Sequence, residues 1–403
     1  MATVWQKCRD GYPKRTDPPC EGPKCGHPWT VRYREPGGRT AKQREKSFPR
    51  KKEADAYASK VENDKNEGVY LDPKRGAITL RAWAEQWLGQ IIVGESTRRN
   101  YEGFIEKWLV PNIGRKTLSG LTASDVQSLV NKMHRSGLAA STISDRLNPL
   151  RAMMRAAIRE KRIADSPCEG VTLPRRGTSA VGEDEIPTLE QVHAIARNIS
   201  GQYALSIWLM AGAGLRISEA LGFSVDCDRG DFLRSRRQVS SKANQGDCRT
   251  RLVPLKHRTE DEYRDVPLPP FLSAEIEAHI DQWGVTDVEG FQVLFAPRER
   301  GKGTMPTATT YGYHWRKALE AAGLTVLVDG KVKPLFTPHS LRHFFASTAL
   351  GGGVPLLEVS RWLGHRSIKV TADTYGHLTP DAPERFRTVM QDALRPALKA
   401  VAS

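Results

Sequence analysis

Cysteine is scarce in this chain. Six in 403 residues are too few and too unevenly placed for a disulfide framework, so free thiols in a reducing compartment are expected. No apolar run approaches the length of a membrane span, and the front of the chain has no signal-peptide core. We therefore expect a cytoplasmic protein with no membrane partner. Solenoid-length repeats and low-complexity tracts are also missing, which excludes repeat architectures. Acidic residues are in short supply: 46 Asp plus Glu face 61 Lys plus Arg, a formal charge of +15. Such an excess favours polyanions, above all nucleic acid, over a merely solvated basic surface. The carboxylates form no clear cluster for paired magnesium ions.

What is present divides along the chain. The length exceeds one ordinary core and suits two or three domains. Residues 1–75 are rich in Lys and Arg and read as a small β-sheet plus one helix. Trp29 to Arg34 alternates apolar and basic side chains with period two, which packs one face and turns Arg32 and Arg34 outward, as a sheet laid in a DNA groove requires. Pro36-Gly37-Gly38 is a turn, Arg44 to Phe48 a second strand, and Lys51 to Val61 an amphipathic helix. Cys8, Cys20, Cys25 and His27 have the ligand types of a tetrahedral structural zinc site, although their spacing is irregular. The bland alternative is three unpaired thiols. Gly68 to Gly76 reads as a linker.

Residues 77–173 read as a helical domain, with a stripe at Leu80, Trp83, Ala84, Trp87 and Leu88 and further helices over Thr97–Leu109, Leu121–Met133 and Ser141–Ile158. Arg98, Arg99, Arg146, Arg151 and Arg155 accompany them as candidate DNA contacts. Pro174 to Pro187 is a second linker. Thr188-Leu189-Glu190-Gln191 is a capping box that opens a third domain, 186–395, with a tail at 396–403. Within it we expect helices to about 221, strands over 225–268 and helices from there on. The fold class is multidomain, mainly α with small β-sheets.

Four islands in the last domain carry chemistry. In Gly212-Ala213-Gly214-Leu215-Arg216, glycines break one helix and Arg216 opens the next, where free backbone N–H groups favour an anion. In Thr337-Pro338-His339-Ser340-Leu341-Arg342-His343, Thr337 caps a helix and Pro338 starts it, so His339 and Arg342 share one face of its first turn. Leu363-Gly364-His365 and Asp373-Thr374-Tyr375 follow. Singly, each reads as an ordinary surface arginine, core histidine or half-buried aromatic.

Arg216, the His339-x-x-Arg342 pair, Leu363-Gly364-His365 and Tyr375 ten positions after His365 together resemble the signature of the tyrosine recombinase family, of phage-integrase type. The resemblance covers 186–395 as a mixed α/β catalytic domain. It reaches more weakly over 77–173, as a helical core-binding domain, and over 1–75, as an arm-type DNA-binding domain. It implies a site-specific recombinase that cuts DNA through a 3′-phosphotyrosyl intermediate, integrating or excising a mobile element, with no catalytic cofactor. Its implied partners are double-stranded DNA attachment sites, a homotetramer on DNA and an accessory DNA-bending or directionality protein. The location becomes cytoplasmic and nucleoid-associated.

By the same resemblance, Arg216 and Arg342 clamp the scissile phosphate. His339 accepts or shares the tyrosine proton, His365 bonds a phosphate oxygen, and Tyr375 attacks. Fixed donors of this kind stabilise transition-state charge without a metal, and a tyrosyl phosphodiester stores the bond energy for religation. The family places its general acid, a lysine, on a β-hairpin. Lys242 and Lys256 are the candidates. Lys256 is preferred because Arg264-Asp265-Val266-Pro267-Leu268 resembles the strand that closes that hairpin, although the acidic stretch between is long. A type IB topoisomerase, which relaxes supercoils by the same chemistry, and a non-catalytic DNA-binding protein are the competing readings.

Overall fold

The computed structural model of the protein describes residues 2–6, 27–36, 40–67, 70, 74–175, 177, 180–240, 250–256, 258–295, 305–328, 330–377 and 382–401. The chain divides into two compact units, Met1–Gly177 and Thr178–Ser403.

In the first unit, β1 (Thr3–Gln6), β2 (Trp29–Arg34) and β3 (Gln43–Phe48) form an antiparallel sheet in that order, followed by α1 (Lys51–Asn66). The alternation in β2 buries Val31 and Tyr33 against Ala54, Ala58 and Val61 of α1, so the period-two pattern builds the core face as expected. The strand β1 has too little patterning in four residues to be read from sequence. Tyr70, in the expected linker, packs edge-on against Tyr33 at 6.0 Å and belongs to this core. Apolar burial thus ties that part of the linker down.

The helices α2 (Leu80–Gln90), α3 (Glu95–Phe104), α4 (Val110–Ile113), α5 (Ala123–Arg135) and α6 (Ala140–Arg159) complete this unit, with a π-type turn at Ile105–Leu109. The expected stripe Leu80, Trp83, Ala84 and Trp87 is buried, and the Trp83 indole donates to the Met153 carbonyl at 3.2 Å. That bond satisfies its one polar atom inside the core. Thr79 caps α2, and Thr122 with Asp125 forms a capping box on α5.

The second unit opens with α7 (Leu189–Asn198), started by the predicted Thr188–Gln191 box, then α8 (Ala204–Ala213) and α9 (Ile217–Leu221). A broken ribbon follows: β4 (Phe232–Ser235), β5 (Arg237–Val239), β6 (Leu252–Pro254) and β7 (Arg264–Pro267). β5 pairs with β6, and β4 pairs with β7. The strand beginning at Arg264 therefore does not close a hairpin on the strand before Lys256. Both belong to the returning side of one ribbon, and Lys256 sits on the excursion between them. Thereafter come α10 (Pro270–Trp283), β8 (Thr286–Val288), β9 (Phe291–Val293), α11 (Ala308–Ala321), β10 (Thr325–Val328) and β11 (Lys331–Pro334). The two small hairpins β8–β9 and β10–β11 correct the all-helical expectation after residue 268. Glu289 and Gly290, both at positive φ, make the first turn of the kind that joins antiparallel strands. The last helices are α12 (Pro338–Gly351), α13 (Leu356–Leu363), α14 (Ile368–Tyr375) and α15 (Ala382–Val401). The unit takes in Val181, which is buried beside Tyr375, and α15 runs through the expected boundary at 396.

Candidate active site

The site grows from two helix ends and one helix start. α8 stops at Gly214, whose φ of +62° terminates the helix; a Cβ there would lie 2.5 Å from the Phe345 ring. This turn makes Arg216 the N-cap of α9, as read from sequence. α13 likewise stops at Gly364, with φ +66°, and hands the chain to His365. α12 starts at Pro338 after Thr337 and carries His339, Arg342 and His343.

Arg342 joins the two stops. It is 1 % exposed, donating through one Nη to the Gly214 carbonyl at 2.6 Å and through the other to the Leu363 carbonyl. Those are the residues just before the Leu215–Arg216 and Gly364–His365 corners, so one buried side chain sets the spacing of both. Burial first, then Arg216 and Arg264, pull its guanidinium down from its ordinary value. A guanidinium keeps its proton in proteins, so the consequence is a strong demand for anionic company.

Glu219 supplies part of that company. The Arg216 backbone N–H donates to it at 2.8 Å and the Arg216 guanidinium at 2.9 Å, while Arg264 pairs with both oxygens at 3.0 and 2.5 Å. Burial alone would raise this carboxyl; Arg264, then Arg216 and Arg342, outweigh it and hold the group well below the usual carboxylate range. Three guanidinium groups thus share one carboxylate. The Nε–H groups of Arg264 and Arg342 are buried without a hydrogen-bond partner. A site with this balance is built to receive an anion.

The histidines are held neutral. Burial, then His343 and Arg342, lowers His339 to about 4. Burial, then Arg342 and Arg216, lowers His365 to about 3, and its Nδ1 bonds the Thr371 hydroxyl at 2.8 Å. Tyr375, at the last position of α14, is 1 % exposed among Val181, Ala346, Leu350, Val359 and Leu363. Burial raises its phenol to about 12, against the pull of Arg342 and Arg216. Its hydroxyl meets His343 Nδ1 at 2.7 Å. His343, one turn after His339 on α12, is thus in hydrogen-bond contact with the tyrosine hydroxyl.

Of the sequence candidates, Arg216, His339, Arg342, His365 and Tyr375 are linked through these bonds and fields. Lys256 is exposed on its loop, and Lys242 lies outside the described residues. Two residues further along the Lys256 loop, Arg258 brings a guanidinium nitrogen within 3.7 Å of the Cβ that Gly364 would carry. Sequence reading gave no role to Glu219, Arg264, His343 or Arg258. The only local signals were Glu219 three positions after Arg216, and His343 directly after Arg342.

In the first unit, Arg99 and Arg146 line one cleft of about 590 Å³ with Lys107, Asn100, Thr142 and Asn148. Arg98 does otherwise: it donates to the Leu88 and Ile91 carbonyls at 2.7 and 3.0 Å, closing the end of α2. Arg32 pairs with Glu45 at 2.6 Å, Arg34 donates to the Ala41 carbonyl, Arg151 is half-buried and Arg155 exposed. Cys8, Cys20 and Cys25 lie outside the described residues and His27 is exposed. Among the described residues, no three His, Cys, Asp or Glu side chains converge as a metal site, and no helix is long and apolar enough to cross a membrane.

Residues 181–381 match the Phage integrase family, and residues 79–134 match the Phage integrase N-terminal SAM-like domain. A tyrosine recombinase XerC-like protein of Caldanaerobacter subterraneus is 26 % identical over 350 residues, covering 82 % of this chain and 86 % of that protein. The integrase of Mycobacterium phage L5 is 24 % identical over 293 residues, 72 % of each chain. Among solved structures, the Tn1549 transposon integrase in complex with transposon right end DNA aligns with TM-score 0.62 at 19 % identity, covering 79 % of this chain and 100 % of that one. A lambda integrase tetramer bound to a Holliday junction aligns with TM-score 0.52 at 17 % identity, covering 84 % and 93 %. The structural likenesses establish the fold.

Proposed function

From the premise that the chain belongs to the phage integrase family of tyrosine recombinases, we propose that its Arg216–Arg342 centre cleaves and rejoins double-stranded DNA at attachment sites, with Tyr375 as nucleophile. The observation that carries this reading is the unbalanced charge: three guanidinium groups around one carboxylate, two with unpartnered buried N–H groups, next to a tyrosine hydroxyl. A phosphodiester supplies the missing anion. Arg216 and Arg342 bracket its non-bridging oxygens, the neutral imidazole of His365 donates to one of them, and His339 accepts or shares the tyrosine proton. Tyr375 Oη attacks phosphorus, the bond to the 5′ oxygen breaks, and a 3′-phosphotyrosyl enzyme remains beside a free 5′-hydroxyl. That hydroxyl repeats the reaction in reverse on a partner strand, which integrates or excises a mobile element.

Recombination should therefore require two matched attachment sites. A supercoiled plasmid carrying both gives the exchanged product, and a plasmid carrying none stays supercoiled. Relaxation of a site-free plasmid at a comparable rate would turn the reading towards a topoisomerase.

Lys256 is the proposed acid for the leaving 5′ oxygen, on the exposed excursion of the ribbon. Lys256→Ala should slow cleavage by about 100-fold or more, the usual range for losing a general acid. Replacing the scissile 5′ oxygen by sulfur, a leaving group that needs no proton, should restore it. If Lys242→Ala shows this pattern instead, Lys242 is the acid.

The working species is proposed to be a homotetramer on DNA. α15 exposes Phe386, Val389, Met390 and Leu394, and the same unit presents a groove of about 640 Å³ lined by Leu189, Trp208, Phe271 and Phe345. An apolar stripe and an apolar groove on one chain suit exchange of α15 between copies. Arg99 and Arg146, with Lys107, suit the DNA backbone, and Arg32, Arg34, Arg151 and Arg155 are proposed to add phosphate contacts. An accessory DNA-bending or directionality protein is the further partner proposed. Cys8, Cys20, Cys25 and His27 are proposed as a structural zinc site, because a three-stranded sheet with so small a core benefits from a staple. Metal analysis of the full chain should return one zinc per protomer, falling to none in Cys20→Ser; a chain purified without zinc would remove the proposal.

A further inference from the structure

We propose that Arg258 is a further catalytic residue, whose guanidinium binds a non-bridging oxygen of the scissile phosphodiester as a fourth cation beside Arg216, Arg264 and Arg342. The inference rests on the reading of the Arg216–Arg342 centre as the place where DNA is cut.

Its first support is where the side chain reaches. Arg258 lies on the excursion between β6 and β7, and its Nη1 donates to the Tyr263 carbonyl five positions on, which curls the loop back on itself. The other arm of the fork reaches the corner between α13 and His365. A Cβ on Gly364 would lie 3.7 Å from Arg258 Nη2 and 3.5 Å from Arg264 Nη1. Two guanidinium groups thus meet at the turn that hands the chain to His365. Gly364, at φ +66°, has no side chain to keep them out.

The second support is a charge left without a counter-charge. Arg258 is half-buried, and among the described residues its guanidinium pairs with no carboxylate. Two carboxylates act on it from a distance, Glu262 and Glu219. Glu262 is engaged by Thr259, whose N–H and hydroxyl donate to it at 2.6 and 3.2 Å. Glu219 is taken up by Arg216 and Arg264. Burial first, then Arg264, accordingly pull the Arg258 guanidinium down from its ordinary value. The group keeps its proton, so the imbalance becomes a demand for one more anion.

The third support is that Arg216 and Glu219 both lie within range of its charge, so an anion held by Arg216 is within its range too. A phosphodiester between Arg216 and Arg342 is that anion. Charge grows on its non-bridging oxygens in the transition state, and the unpaired arm of a planar fork suits one of them. Arg258 moves no proton. Lys256, two positions earlier, would serve the leaving 5′ oxygen while Arg258 serves a non-bridging one, so one loop delivers both groups to one phosphate.

The test uses the full-length protein in two assays. On a nicked suicide duplex carrying the attachment site, Arg258→Ala should form the covalent adduct about 100-fold more slowly than the parent, the range for losing one donor to transition-state charge. Sulfur in place of the scissile 5′ oxygen should leave that defect standing, although it restores Lys256→Ala, because sulfur assists only the leaving group. The second assay reads binding without chemistry, in Tyr375→Phe. Affinity for the intact site is compared with affinity for the same site nicked and lacking the scissile phosphate. Adding Arg258→Ala should shrink that ratio by about tenfold, the scale of one hydrogen bond to a charged group. Should Arg258→Ala fail to fold, both assays on Arg258→Gln decide. The proposal is overturned if the variant cleaves within about threefold of the parent, if sulfur restores it, or if losing the scissile phosphate weakens both proteins equally. A parent protein that forms no adduct, or a Y375F protein that does, overturns the reading of the centre itself and this inference with it.

Discussion

Tyr375→Phe should abolish covalent capture of DNA while leaving DNA affinity within about twofold of the parent. The expected asymmetry follows from where the hydroxyl sits. Phenylalanine fills the same space among Val181, Leu350, Val359 and Leu363, so the cluster stays packed. The one bond lost is that to His343, at 2.7 Å, which contributes about 1 kcal/mol to stability. The phosphate-binding guanidiniums keep their supports, because Arg342 is held by the Gly214 and Leu363 carbonyls and Arg216 by Glu219. Binding and chemistry are thus carried by different atoms, and this substitution separates them. Filter binding alongside denaturing-gel detection of the adduct measures both. A Tyr375→Phe protein that still became covalently linked would place the nucleophile elsewhere.

Glu219→Gln should give the largest loss of stability, about 3–5 kcal/mol, the range for removing one partner of a buried ion pair. The Arg264 side chain is 4 % exposed and Glu219 is fully buried, so an uncharged amide leaves a guanidinium in the interior without its counter-charge. Arg216, at 30 % side-chain exposure, loses a partner that water replaces in part. Urea midpoints measure the cost. Glu219→Gln combined with Arg264→Met should recover much of it, because removing both buried partners restores balance. A single-variant loss below about 1 kcal/mol would show that the pair does not hold the site together. The pair also sets an acid limit. Its folded pKa is depressed, so the stabilisation is fully present above the ordinary Glu value near 4.5 and is lost as pH falls below that towards the folded value. Acid unfolding of the Glu219→Gln protein should accordingly show a shallower dependence in that window.

Residues whose role depends on neighbours a few positions away were readable in the sequence. Arg216 at a helix start, His339 and Arg342 on one turn, and Tyr375 after His365 are local patterns, and the structure links all of them. The Thr188–Gln191 box and the buried face of β2 were readable for the same reason. What escaped is set by distance along the chain. Arg264 reaches Glu219 across 45 positions, and its meaning arises only because β7 pairs with β4. His343 was visible as a neighbour of Arg342, but its contact with Tyr375 depends on how α12 meets α14. Arg98 looked like its basic neighbours until the carbonyls at the end of α2 claimed it. The strand pairing around Lys256 was not readable either, because β6 pairs with β5 and β7 with β4, partners that are set by the fold.

The pocket is organised from Arg342 outward. That single side chain fixes the backbone at Gly214 and Leu363, and through them the corners that carry Arg216 and His365. The central claim is that the anion this pocket awaits is a DNA phosphodiester under attack by Tyr375. Mass spectrometry of the nuclease-trimmed DNA–peptide adduct, formed on a suicide attachment site with EDTA present, tests it most directly. The account predicts one modified residue, Tyr375, bearing a 3′-phosphoryl nucleotide, with a free 5′-hydroxyl on the released strand. An adduct on another residue, linkage through a 5′ phosphate, or cleavage only after a divalent metal is added would contradict it.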